Sequence, residues 1–361
     1  MAKLNLGEKL NINQCAKLIM TVGQEITVII RSEPGCGKSS ILDMLHEAYG
    51  DKYDYIYCDC PVKDLSDVAM NIPVHDSHQL ECYVAEIFKT TSKKPKIIML
   101  DEFLKSSKML QIIWMRLCLE RVIGDVPLPT GSIVFGTSNN SSDGVGDTML
   151  AHGGNRVMLV NMKKPNAKEW GLWATDHDVS ALTRAWVAMN PAAMNSYTEM
   201  TDTELSQNPY IFNPKKLTLS FVSPRSLYKN DVLVRNKGVL GDDIVKAGMA
   251  GTVGEAAAES LSAFFLIERD LMPFSAIINA PESCPVPTNI GALLMILFNA
   301  VDEIGNQDEL SLFMKFVLRL KSVEMQSVFF TMACQSKKTV KLTKNNKYLS
   351  DWMCKNFQLF T

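Results

Sequence analysis

Five short apolar runs punctuate the first 165 residues: Thr27–Ile30, the segment "YDYIYCDC" ending at Cys60, Ile97–Leu100, Ser132–Phe135, and a run from Val157 within "NRVMLVNM". The best defined carry no polar break, as expected of strands buried on both faces of a parallel sheet. After the first run, Pro34, Gly35 and Gly37 interrupt regular structure. Ile41, Leu42, Met44, Leu45, Ala48 and Tyr49 then recur at helical spacing, and Gly50 can close that helix. Strands alternating with helical segments predict an α/β domain with a parallel sheet. From Pro165 the pattern becomes mostly helical, with Trp170, Trp173 and Trp186 on apolar faces, where they read as core residues. Residues 191–222 read as a loop-rich link punctuated by Pro191, Pro209 and Pro214, and "LMPFSAIINAPESCPVPT" as a loop between later helices. The predicted organisation is a nucleotide-binding αβα core over 1–163 and a helical domain over 164–361.

The break after the first run carries chemistry. "SEPGCGKS" departs from the phosphate-loop pattern G-x-x-x-x-G-K-[ST] only at its first place, where Ser32 stands. Strand, glycine loop and helix are the context such a loop requires, because a helix start offers unpaired N–H groups and a positive dipole end to phosphates. Glu33, Pro34, Gly35, Cys36, Gly37, Lys38, Ser39 and Ser40 form the candidate nucleotide-binding set. Lys38 is placed to reach the β and γ phosphates, and the Ser39 hydroxyl to meet Mg²⁺. A serine forced into an unusual backbone region costs on the order of 1 kcal/mol, enough to weaken binding and too little to abolish it. "KPKIIMLDEF" ends its strand in Asp101 and Glu102, two carboxylates where a parallel sheet places its chemistry. Asp101 is the candidate metal residue with Ser39; Glu102 is the candidate for polarising water. Asn139, at the end of "GSIVFGTSNN", is placed to position that water.

Composition narrows the function class. The formal charge is −2, which argues against nucleic acid held by net charge alone. Nine cysteines without a framework of spacings fit reduced thiols and a cytoplasmic protein. "MAKLNLGEKL" lacks the apolar run of a secretory leader, and "GALLMILFNAV" is too short to span a bilayer, so no membrane association is expected. His75, His78 and Cys82 lack the paired spacing of a structural zinc site and are placed on the surface of an insert or the helix after it. The tail from Lys337 to Lys355 interleaves lysines with Tyr348 and Trp352. It is read as a solvated face, with a nucleic-acid grip as the competing reading.

In order, "EPGCGKS", "IIMLDEF", "FGTSNN", "GGNRVMLVNM" and "FVSPRSL" resemble the motifs of a AAA+ ATPase of the MoxR type. "DCPVKDLSDV" stands where that clade carries its helix-2 insert, and "AGTVGEAAAESLSAFF" is similar to part of its lid. The resemblance covers most of residues 20–300. It implies a P-loop NTPase αβα sandwich with a five-stranded parallel sheet and a C-terminal helical lid, binding ATP and Mg²⁺ and hydrolysing ATP. It implies Lys38 and Ser39 as Walker A, Asp101 and Glu102 as Walker B, and Asn139 as sensor 1. Arg156 takes the arginine-finger place, with Arg121 the alternative, and Arg225 is sensor 2. "NRV" departs from the family, in which an aromatic more often follows the arginine. The family implies a homo-oligomeric ring, a hexamer, acting as a chaperone-like remodeller on a protein client or a von Willebrand factor A-domain partner. The competing readings are a DNA-directed AAA+ accessory protein, such as a helicase loader or a replication or packaging factor, and a nucleotide-gated scaffold with weak hydrolysis.

Overall fold

The structure is a computed structural model that describes residues 8–76, 78–140, 155–216 and 219–357. It divides into two compact units, 1–164 and 165–361.

The first unit is built on α1 (Ile12–Val22), β1 (Val28–Ser32), α2 (Ser40–Tyr49), β2 (Asp54–Asp59), a hairpin of β3 (Ala69–Val74) and β4 (Gln79–Val84), and β5 (Lys96–Asp101). α3 (Lys108–Glu120), the short pair β6 (Val122–Ile123) and β7 (Val126–Pro127), β8 (Ile133–Asn139) and β9 (Met158–Asn161) complete it. Five strands form one sheet in the order β2-β5-β8-β1-β9, and every pairing in it is parallel. The alternation of side chains along each strand splits its core in two. Val28, Ile30, Ile97, Met99, Ile133 and Phe135 meet α1 and α2 through Ile19, Ile41 and Leu45. Ile29, Ile98, Leu100 and Val134 meet α3 through Leu110, Trp114 and Leu117. Helices on both faces of a parallel sheet, with the glycine loop leaving its β1 strand, make this a P-loop NTPase αβα sandwich.

The insert is an antiparallel hairpin with no helix after β4; a 3₁₀ turn (Glu86–Phe88) follows instead. Cys82 lies on β4, and His75 and His78 sit in the turn. Among the described residues no group of three or more His, Cys, Asp or Glu side chains gathers as a metal site.

The second unit is helical. It opens with α4 (Ala167–Asp176), α5 (Ala181–Met189), the short α6 (Asp202–Gln207) and α7 (Pro224–Arg235). Its core centres on the helix Ile290–Glu303, ten of whose residues are buried, with Trp170, Trp186, Phe313, Phe316 and Phe329 around it. Trp173 is only partly buried and stacks on His177. The stretch read as one long loop over 271–288 contains a helical turn and a half, Phe274–Asn279, because Phe274 and Ile277 find the core. Trp352 is buried, stacks on Phe330 at 4.2 Å and donates to Gln326 at 2.6 Å. It therefore offers no stacking platform to a base. No helix among the described residues is long and apolar enough to cross a membrane.

Candidate active site

The site lies at the carboxyl ends of β1, β5 and β8. β1 runs into the loop 33–39, where Gly35 (φ 75°) and Gly37 (φ 87°) take left-handed backbone that a side chain disfavours. The loop turns the chain into α2. Ser39, at the N-cap, makes no side-chain capping bond, which leaves its hydroxyl to a ligand.

Ser32 overturns the expectation of strain. It is the last residue of β1, paired with Asn139 in regular parallel register, and does not occupy left-handed backbone. Only the two glycines after it need that freedom. Its hydroxyl is instead part of the site: Lys38 Nζ donates to Ser32 Oγ at 3.2 Å and to the Glu33 carbonyl at 3.2 Å. Cys36, buried in the loop, has its thiol pushed up to about 12, by burial first and the nearby Glu33 charge second. Lys164 lies close enough for its charge to act on both Glu33 and Cys36; burial lowers its pKa and Glu33 opposes that.

β8 stands between the phosphate-loop strand and the acidic strand. A period of two puts Thr137 and Asn139 on one side of it. Lys38 Nζ donates to Asn139 Oδ1 at 2.7 Å, and Asn139 Nδ2 donates to Glu102 Oε1 at 3.0 Å. The amide thus bridges the lysine and the carboxylate, and the two partners fix which way it points. Thr137 Oγ1 donates to Asp101 Oδ1 and accepts the Glu102 backbone N–H at 3.2 Å. Tyr57 on β2 donates its phenol to Asp101 Oδ2 at 2.7 Å. Glu102 itself sits in left-handed backbone (φ 48°, ψ 37°) at the strand exit, a conformation that costs about 1–3 kcal/mol outside glycine. Lys105, three residues on, pairs with Glu102 Oε2.

Asp101 and Asn139 end their strands, Glu102 follows β5 directly, and Lys38 and Ser39 close the loop that leaves β1. The predicted arginines lie elsewhere. Arg156 is exposed in the turn before β9. That is the end of the sheet opposite the loop, since the Met158 N–H donates to the carbonyl of Thr27, which precedes β1. Arg225 belongs to the second unit and is exposed at the second position of α7, behind the Ser223 cap and Pro224. Arg121 is committed within its own chain. It donates to the Gly23 carbonyl at 3.1 Å, to Thr27 Oγ1 at 2.8 Å and to the Cys118 carbonyl, and burial lowers its pKa.

Sequence reading missed Thr137, Tyr57 and Lys105. The hydroxyl two places before Asn139 was the one available signal, since side chains two apart on a strand share a side.

No family model matches the chain, and no curated protein matches it. Among solved structures it is similar to the RuvB Holliday junction branch migration motor of Thermotoga maritima. There the identity is 13%, covering 81% of this chain and 84% of that one, with a TM-score of 0.36. It is also similar to NtrX of Brucella abortus, at 13% identity over 72% of this chain and 69% of that one, TM-score 0.33. The P-loop NTPase fold rests on the strand order and the geometry of the site.

The donor set fits a Mg²⁺–triphosphate. It offers a loop with two glycines in left-handed backbone, a buried ammonium, an uncommitted hydroxyl at Ser39, and a carboxylate at Asp101 oriented by two hydroxyls.

Proposed function

We propose that the chain is an ATP-hydrolysing AAA+ motor of the MoxR type that remodels or matures a protein complex as a homo-oligomeric ring. The observation that carries the catalytic part is the run of contacts from Lys38 through Asn139 to Glu102, which joins the phosphate-binding group to the water-polarising group in one hydrogen-bonded line.

When bound, Mg²⁺·ATP supplies a polarised γ phosphate for in-line attack by water. The loop amides and Lys38 hold the phosphates. Ser39 and Asp101 would hold the ion. Glu102 accepts a hydrogen bond from the attacking water and draws off its proton. Asn139 keeps Glu102 in place and senses the γ phosphate through Lys38. Arg156, exposed in the turn before the edge strand β9 at the end of the sheet opposite its own loop, serves a neighbouring subunit's site. Arg225, at the start of α7, takes the sensor-2 role that the family resemblance implies. The client, and a von Willebrand factor A-domain partner, come from the family resemblance.

The experiment is a pair of variants with calorimetry and phosphate release. Lys38→Ala should lose ATP binding near cellular concentrations, because a charge-assisted contact of about 1.5–3 kcal/mol disappears from each phosphate it meets. Glu102→Gln should bind ATP and turn it over at least a hundredfold more slowly. Equal ATP affinity in wild type and Lys38→Ala would remove the basis of the proposal.

A further inference from the structure

Lys105 does not belong to any of the motifs by which the site is recognised, yet it holds the second oxygen of Glu102. The contact is not an incidental surface pair. Phe103–Lys105 is a 3₁₀ turn closed by the Lys105 N–H on the Glu102 carbonyl at 2.8 Å. The turn is pinned on both sides: Phe103 and Leu104 are buried, and Ser106 Oγ donates to the Phe103 carbonyl at 2.6 Å. Gln111, reaching back from α3, donates to the Leu104 and Ser106 carbonyls at 2.9 and 3.0 Å. The lysine backbone is therefore fixed relative to Glu102, and the left-handed backbone at 102 belongs to the same bend. The two side chains are only 25% and 32% exposed.

Glu102 is consequently held at two points. Asn139 donates to Oε1 and Lys105 to Oε2. A carboxylate held at one oxygen still turns about its last side-chain bond; held at both, it has one plane. Each oxygen accepts two hydrogen bonds, so the clamp leaves lone pairs for water. We propose that Lys105 is a positioning residue for the hydrolysis, fixing the plane of the Glu102 carboxylate in which it polarises the attacking water. This rests on the ATPase reading above and adds to it a residue that acts only through Glu102.

The test is steady-state turnover of Mg·ATP by the full chain, with kcat and KM separated, in Lys105→Met, Lys105→Gln and Lys105→Arg. Lys105→Met should lose about tenfold to a hundredfold in kcat, the scale of one charge-assisted hydrogen bond. Its KM and its calorimetric ATP affinity should stay within about twofold, as for a group felt only in the transition state. Lys105→Arg should recover most of the rate, and Lys105→Gln should fall between, so a ranking survives if one variant folds poorly. In the Glu102→Gln background, adding Lys105→Met should cost nothing further, because the group it positions is gone. A Lys105→Met kcat within twofold of wild type, or an equal loss with and without Glu102, overturns the Lys105 role alone. A wild-type chain that binds Mg·ATP but turns none over overturns the ATPase reading and the Lys105 role together.

Discussion

Replacing Ser32 by glycine restores the residue that the phosphate-loop pattern asks for, and the structure predicts that this makes the protein worse. Ser32 is an ordinary strand residue, 1% exposed and in register with Asn139. Glycine in a strand interior costs about 0.5–1 kcal/mol in backbone entropy. The substitution also removes the Oγ that accepts from Lys38 Nζ at 3.2 Å. The ammonium keeps Asn139 Oδ1 at 2.7 Å and the Glu33 carbonyl at 3.2 Å, so the loss is that of one ordinary hydrogen bond, about 0.5–1.5 kcal/mol. The total is about 1–2.5 kcal/mol. For a unit of this size that lowers its melting temperature by about 2–10 °C. The glycine relieves no strain, so ATP affinity should not rise. The assays are thermal unfolding of wild type and Ser32→Gly, and ATP titration by calorimetry at equal Mg²⁺. If Ser32→Gly melts higher, or binds ATP tenfold more tightly, about 1.4 kcal/mol, then the serine is a strained substitute and does not sit in β1 as a regular strand residue.

Thr137→Val keeps the shape but removes the hydroxyl that orients Asp101 and receives the Glu102 N–H. Turnover should drop about tenfold or more while ATP still binds, since a stranded donor costs about 1–3 kcal/mol; unchanged kcat would count against Thr137. Arg121→Ala and Arg156→Ala should separate: the first lowers stability by about 1–3 kcal/mol through lost bonds to Gly23 and Thr27 and leaves kcat per folded chain alone. Arg156→Ala should instead melt like wild type, bind ATP, and lose the rise of specific activity with protein concentration; a swap of these two phenotypes would refute both assignments. Cys36, its thiol pushed up to about 12, carries thiolate at roughly one part in ten thousand at pH 8. Peptide mass spectrometry after iodoacetamide should find it unmodified when the exposed Cys354 is fully alkylated, and rapid labelling of Cys36 would show that the loop is more open than its buried thiol implies.

The parts of this fold that were legible in the sequence are those written in local pattern. Ile97–Leu100 and Ser132–Phe135 are short apolar runs whose length and flanking Pro and Gly favour buried strands, and Gly35 and Gly37 announce a turn that only glycine makes easily. What stayed illegible depends on which strands become neighbours. Nothing in "YDYIYCDC" says that Tyr57 will face Asp101, because that follows from β2 pairing with β5 in one register. Thr137 reaches both acidic residues only because β8 stands beside β5. Lys105 was hidden differently: an acidic residue and a lysine three apart are common in any chain, and only the 3₁₀ turn after a left-handed Glu102 makes them a pair. The Ser32 error came from treating a pattern position as a conformational demand. The strands of the insert do carry an alternation, Met70, Ile72 and Val74 on β3 and Leu80, Cys82 and Val84 on β4, but Pro73 argues against a strand there, and both strands expose most of their side chains.

The placement of β8 in the middle of the sheet has a consequence for how this gene can change. Thr137 and Asn139 serve the acidic pair and the lysine from one strand. Gly136, between Phe135 and Thr137, lies tight against its neighbours: a Cβ there would stand 2.7 Å from Ile29 Cδ1, so that side chain would have to turn aside, and 3.4 Å from the Leu100 carbonyl. Deleting or inserting a single codon before Thr137 within this strand would present Ser138 or Gly136 where Thr137 stands and turn the apolar residues to the opposite layer. A substitution along this strand alters one of these groups, whereas a change of length displaces all of them at once. Length variation over evolutionary time is therefore expected to collect in the surface hairpin of residues 69–84, where an added pair of residues lengthens an exposed ribbon and shifts nothing in the sheet.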